Sequence, residues 1–271
     1  GANGHVINKY YAGTAVAQLP FFLMAHGLTS VLNYDTDGYS KLYTVFVNLA
    51  GIFYLLLGLF FLNAILRNYG ISSLHRSMVL FVAVFGTNLF YYAVSEPAMS
   101  HVYSFAFVSV FLFYAQKYFA EFNIKYIPLL GAVLGMIVLI RPVNGMIVLA
   151  LPFMAGNFDT LRKGMAGIFR AKGSLLLAAV LFFAIISIQL IIYKISAGRF
   201  FVYSYGEEGF QFLSPHMIDI LFSYRKGLFL YTPVYLVSLT GLVFLWKSRR
   251  FELFAWIGFF LFITWILSSW W

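Results

Sequence analysis

Residues 173–193 read Gly-Ser-Leu-Leu-Leu-Ala-Ala-Val-Leu-Phe-Phe-Ala-Ile-Ile-Ser-Ile-Gln-Leu-Ile-Ile-Tyr, bounded by Lys172 and Lys194. A bilayer core about 30 Å thick needs about 20 apolar residues in a helix, and this run supplies them without one charge. The apolar residues are continuous rather than alternating, which excludes a strand of a membrane barrel. The pattern recurs: 42–66, 77–95, 102–116, 126–140, 142–158, 227–246 and 253–271 also lack Asp, Glu, Lys and Arg. Over the whole chain 62% of residues are hydrophobic and 10% charged, whereas a soluble domain is nearer half apolar. The sequence therefore predicts an all-α fold, a polytopic transmembrane helical bundle of about eight or nine membrane helices with short outer-face interfacial helices. Residues 1–271 read as a single membrane domain without repeats or low-complexity tracts.

The charges sort by side. One set of connections holds Arg67, Arg76, Lys117, Lys125, Arg162, Lys163, Arg170, Lys172, Lys247, Arg249 and Arg250, with Glu121, Asp159 and Glu252 as its acids. Lys and Arg in short loops mark the cytoplasmic side. The other set mixes Asp35, Asp37, Glu96, Glu207, Glu208 and Asp219 with a few bases, so it faces outward. The net charge of +9 is thus used for orientation. No basic face interleaves with exposed aromatics in a soluble module, and nucleic acid is excluded as a partner. The absence of Cys excludes disulfides, thiolate metal sites and a cysteine nucleophile, and suits loops in a bacterial periplasm.

Residues 10–34, broken by Pro20 and His26, either span the membrane or lie along its outer surface. Helices are expected over 41–66, 76–95, 101–117, 173–195, 227–246 and 253–271. Residues 126–156 form a hairpin of two short helices turning at Ile140–Gly145. Gly131 and Gly135 make a GxxxG, which signals close helix packing. Residues 159–172 form an amphipathic headgroup-facing loop. Ser214-Pro215 predicts a helix start with Ser as cap and Pro in the first turn.

Chemistry concentrates outside. In 196–226, Glu207 and Glu208 precede the adjacent bases Arg225 and Lys226. Arg grips phosphate oxygens in a bidentate way and Lys supplies a point charge; the plainer reading is headgroup anchoring by snorkelling. Ser95-Glu96-Pro97-Ala98-Met99-Ser100-His101 sets a carboxylate beside an imidazole, an acid–base combination or a polar turn capping the next helix. Arg141, next to Pro142 at an apolar helix end, needs a phosphate, an acid such as Glu96 or Glu207, or water, with Asn144 placed to orient it. Asp35-Thr36-Asp37-Gly38 has the spacing of a metal motif but reads first as a polar turn. No cofactor is demanded, a divalent metal stays an open option, and no metal ligand is assigned.

Asn8-Lys9-Tyr10-Tyr11-Ala12-Gly13-Thr14 before Leu19-Pro20-Phe21-Phe22, the 96–105 run, Arg141-Pro142-Val143-Asn144 and Phe222-Ser223-Tyr224-Arg225-Lys226-Gly227 together resemble bacterial GT-C class membrane glycosyltransferases. These are related to the dolichyl-phosphate-mannose protein mannosyltransferases and the aminoarabinose transferases. The resemblance implies transfer of a sugar from a polyprenyl-phosphate donor to a protein, lipid or glycan acceptor at the periplasmic face of the inner membrane. It places Lys9 and Tyr10 near the active site and makes Arg141, Arg225 and Lys226 candidates for the donor phosphate, whose stabilisation would drive catalysis. Glu96, His101 and Glu207 are the catalytic candidates; Lys9, Tyr10, Arg141, Asn144, Glu208, Arg225 and Lys226 are the substrate-binding ones. The class normally keeps its catalytic acid in a first outer loop after a first membrane helix; if residues 10–34 are the segment along the outer surface, that helix and its acid either lie upstream of Gly1 or are missing. Two other readings fit the same features: a non-catalytic subunit of a larger membrane assembly, and a transporter or flippase of a lipid-linked substrate, for which the expected internal repeat is lacking.

Overall fold

A computed structural model describes residue 8 and residues 10–202, 209–225 and 227–270. They form α1 (Gly13–Val31), α2 (Lys41–Asn68), α3 (Ser73–Phe85), α4 (Leu89–Val94), α5 (Ser100–Glu121), α6 (Tyr126–Ile140), a 3-10 segment (Pro142–Ala150), α7 (Leu151–Ala155), α8 (Phe158–Arg170), α9 (Lys172–Ala197), α10 (Met217–Phe222), α11 (Leu228–Tyr231), α12 (Val234–Leu239), α13 (Gly241–Ser248) and α14 (Arg250–Ser268). The described residues are all-helical, and four helices are long and apolar enough to cross a membrane: α1, α2, α9 and α14. Their large apolar side chains point outward, among them Leu56, Phe60, Leu176, Phe183 and Phe262. In water such a surface would be an aggregation liability; in lipid it is the solvated face. The chain is thus a helical membrane protein by length and composition of these four helices.

The axle of the bundle is α5. Val102, Tyr103 and Ala106 join Ala17, Tyr54 and Ile140 at one end of the core; Phe111 packs with Val133, Ile137 and Ile147 midway; Ala115, Tyr118 and Phe119 meet Ile127 and Met154 at the other end. A helix wrapped by protein can carry polar side chains that a lipid-facing helix cannot. Accordingly α5 buries Ser109 and Gln116, and it is not among the four long apolar helices.

Polar bonds tie the helices. The Tyr54 hydroxyl donates to the Ala17 carbonyl at 3.0 Å, the Tyr118 hydroxyl to the Gly164 carbonyl at 2.7 Å, and Asn68 Nδ2 to Gln116 Oε1 at 2.8 Å. Such bonds are worth about 0.6–2 kcal/mol each in a membrane. The GxxxG glycines do close-pack α6 on α9: a methyl at Gly131 would fall 2.5 Å from the Ala178 carbonyl oxygen, and one at Gly135 3.2 Å from that of Phe182.

Several sequence expectations shift locally. The 76–95 rod is broken into α3 and α4 at Gly86–Asn88, where the Thr87 hydroxyl bonds back to the Ala83 carbonyl and also accepts from the Leu89 amide. The second arm of the 126–156 hairpin starts as 3-10 helix before α7. The 227–246 rod is divided into α11, α12 and α13, with a break at Thr232-Pro233, where proline has no N–H to continue the ladder. The Ser214-Pro215 start moves to Met217, with His216 at the cap. The chain before it is tethered elsewhere: Gln211 N donates to the Ser269 carbonyl and His216 N to the Ser268 carbonyl.

Candidate functional site

Two ends can be distinguished. One holds Glu96, Arg141 and the C-terminus of α14; the other holds the ends of α2 and α5 and the basic connections.

At the Glu96 end the turn 95–101 is fixed from both sides. Glu96 N donates to the Tyr91 carbonyl at 3.2 Å, and Met99 N to the Glu96 carbonyl at 3.0 Å. Pro97 abuts Gly51 of α2, where a side chain would fall 2.9 Å from the proline ring. Fully buried Tyr103 donates to the Pro97 carbonyl at 2.9 Å and accepts from Gln18 Nε2 at 2.8 Å. The Glu96 carboxylate projects from this rigid turn and is exposed.

His101, one turn below, stacks on Tyr92 with ring centroids 3.7 Å apart. Both rings line a cavity of about 410 Å³ between α4, α5, α11 and α12, to which Asn88, Thr232 and Tyr235 also contribute. Its volume falls in the range of small-molecule sites, roughly 300–1,000 Å³. Leu228, three residues beyond Arg225, forms part of the same wall. Arg225 itself is exposed in a tight turn: its N–H donates to Ser223 Oγ at 3.1 Å, and Gly227 N closes the turn on the Ser223 carbonyl at 2.8 Å. A side chain at Gly227 would collide with the Ser223 backbone, so the turn requires glycine.

Arg141 caps α6 with an exposed side chain, where a cation favours the negative helix terminus. No ion pair joins it to another described residue, Glu96 included. Asn144 orients a different group: its Nδ2 donates to Ser104 Oγ at 2.8 Å, and both line a second cavity of about 230 Å³ with Phe259 and Ile263. Phe105 is shared by the two cavities. A third, apolar space of about 310 Å³ is bounded by Leu228, Tyr235 and Trp256. Among the described residues no Asp or Glu lines any of the three.

Tyr10 is exposed just before α1, its N–H donating to Asn8 Oδ1 at 2.9 Å. The start of α1 is anchored here: Ala12 N donates to Gln189 Oε1 at 2.7 Å, and Gly13 packs directly on the Leu139–Ile140 backbone. Lys9, Glu207, Glu208 and Lys226 lie outside the described residues. Asp35-Thr36-Asp37-Gly38 forms a turn, with Asp37 Oδ1 accepting from Tyr39 N at 2.8 Å and Ser40 N at 3.0 Å. Among the described residues no three His, Asp or Glu side chains assemble as metal ligands.

Sequence reasoning overlooked Tyr92, Gln18 and Thr232, and took Tyr103 only as a member of the 96–105 run. The available signal was polarity inside apolar helices, which demands a partner. It also passed over Glu252 at the opposite end, a buried carboxylate. No protein-family model matches the chain, and neither a curated protein nor a solved structure is detectably similar to it.

Proposed function

We propose that the Glu96 end is the periplasmic face of a bacterial inner-membrane enzyme that transfers a sugar from a polyprenyl-phosphate donor. The carrying observation is the cavity of about 410 Å³ walled by the His101–Tyr92 stack and by the helix that follows the Arg225 turn. An imidazole in a partly polar cleft is suited to move a proton, and an exposed guanidinium close by in sequence to the cleft wall is suited to hold a phosphate. The polyprenyl chain would lie along the apolar space beside Trp256 and Leu228. In this reading the shorter apolar helices Ser73–Phe85, Tyr126–Ile140, Pro142–Ala155 and Val234–Ser248 cross the membrane with α2, α5, α9 and α14, giving eight spans, while α1 lies at the Glu96 end, where Gly13 packs on Ile140 and the His26 ring meets the Tyr43 hydroxyl.

The test is transfer in proteoliposomes. Labelled sugar on a polyprenyl phosphate should pass to acceptor or water, and Arg225→Ala should raise KM at least tenfold. Neither transfer nor saturable donor binding by the wild type would end the proposal.

A second reading has its own support. Among the described residues, which leave out Glu207 and Glu208, no carboxylate lines the three cavities at this end, a lining that suits a non-catalytic membrane subunit. Co-purification of a stoichiometric partner whose activity survives Arg225→Ala and His101→Ala would select it.

A further inference from the structure

A cavity of about 530 Å³ is at the opposite end, where the C-termini of α2, α5 and α7 converge on the first turn of α14. Each helix C-terminus carries roughly half a negative charge in its unpaired carbonyls. Glu252 adds a full one. It is 4% exposed and lines the cavity. An ionised carboxylate has about four acceptor positions. Among the described residues both oxygens share a single donor, Arg249 Nη1, at 3.2 and 3.4 Å, and that arginine is itself half exposed. The forked, two-nitrogen grip that satisfies a buried carboxylate is missing. Each oxygen thus has the one partner a buried polar atom normally keeps, but the two share it, so most of the carboxylate's acceptor positions are left for a donor entering from the cavity.

Other walls agree in sign. Tyr69 is pushed above the ordinary tyrosine range by burial and then by the Glu252 charge, against its hydrogen bond with Gln116. The site favours positive charge and N–H donors at its floor. At its rim, Lys117 is held 3.1 Å from Glu121 and both line the opening. Arg67 precedes the wall residue Asn68 in α2, and Arg162 and Lys163 follow the wall residue Thr160 in α8. A ligand with an ammonium to insert and a phosphate to leave at a basic rim matches both features. Because the cavity opens where apolar helices end, the source is the membrane itself.

We propose that this cavity binds the headgroup of an ethanolamine phospholipid, with the primary ammonium on Glu252 and the phosphate at the Lys117 rim. The site is independent of glycosyl transfer and does not stand or fall with it. A choline headgroup, whose nitrogen has no hydrogen to donate, would not satisfy Glu252.

The full chain in detergent is titrated with dioctanoyl phosphatidylethanolamine and, separately, with dioctanoyl phosphatidylcholine, following thermal unfolding and intrinsic tryptophan fluorescence. The expected result is saturable binding of the ethanolamine lipid at least tenfold tighter than the choline lipid. Glu252→Gln should reduce that preference below twofold. Thr160→Phe, which fills the cavity from α8 and leaves the Glu252–Arg249 pair intact, should abolish binding and keeps the test decisive if the first variant does not fold. Equal affinity for the two lipids, or full preference retained by a folded Thr160→Phe protein, overturns the proposal. Soluble O-phosphoethanolamine binding as tightly as the lipid would overturn the lipid as occupant.

Discussion

Gln18 on α1 donates through Nε2 to the hydroxyl of Tyr103 on α5 at 2.8 Å, and that hydroxyl donates in turn to the Pro97 carbonyl. One buried oxygen therefore connects the first helix, the central helix and the turn that carries Glu96. Removing it as Tyr103→Phe strands an amide and a carbonyl, at a cost of about 1–3 kcal/mol each where nothing replaces the bond. The expected outcome is a Tm lower by several degrees and faster proteolysis within 95–101, while Gln18→Leu, which leaves the Tyr103–Pro97 bond in place, costs less. Equal stability of Tyr103→Phe and wild type would refute this role.

The His101–Tyr92 stack gives a separable pair of expectations. Stacked aromatic pairs contribute about 0.5–1.5 kcal/mol beyond area burial, so Tyr92→Leu should be mildly destabilising. Under the proposed function, His101→Ala should also lower turnover by roughly 10²-fold or more, the range of a general acid–base group. His101→Phe keeps the stacking surface and loses the proton carrier. Transfer assays on folded His101→Phe protein separate these two contributions: wild-type turnover there would remove His101 from the chemistry.

Gly131 should tolerate nothing larger than itself. The Ala178 carbonyl oxygen lies 2.5 Å from the place a methyl would occupy, so α6 and α9 must separate to admit one. Gly131→Leu is expected to cost at least the roughly 1–3 kcal/mol of core overpacking and to lower the yield of folded protein. Gly241 meets nothing within 4 Å, so Gly241→Ala is the matched control. Thermal unfolding of the two variants side by side decides the point.

Sidedness can be read directly, because the chain has no Cys of its own. Single substitutions Asp37→Cys and Lys163→Cys fall in an exposed turn and on the exposed face of α8. If the basic connections are cytoplasmic, an impermeant maleimide applied to intact spheroplasts should label the first and not the second, and both after lysis. Labelling of Lys163→Cys and not of Asp37→Cys would reverse the topology, and labelling of both in intact spheroplasts would refute the sorting of the two positions to opposite sides.

The class of the molecule was legible in the chain. Charge-free runs such as 173–193 cannot lie in water, and Lys172 and Lys194 bound that run, so the α9 limits Lys172–Ala197 follow almost residue for residue. The GxxxG and the Asp35–Gly38 turn were equally local and were read from residue type alone. Breaks within apolar rods were harder. Pro233 signals one, but the break at Gly86–Asn88, where Thr87 bonds back to Ala83, and the 3-10 start at Pro142 interrupt runs whose apolar pattern is continuous.

Composition by itself determined a helical membrane chain, since transfer free energy depends on residue type and not on partners. Tertiary structure alone decided which polar groups meet. Gln18 and Tyr103 are far apart in sequence, as are Asn68 and Gln116, and Glu252 looks in the chain like an ordinary acid among bases. Burial of that carboxylate at the converging ends of three helices is a property of packing, which no local pattern encodes.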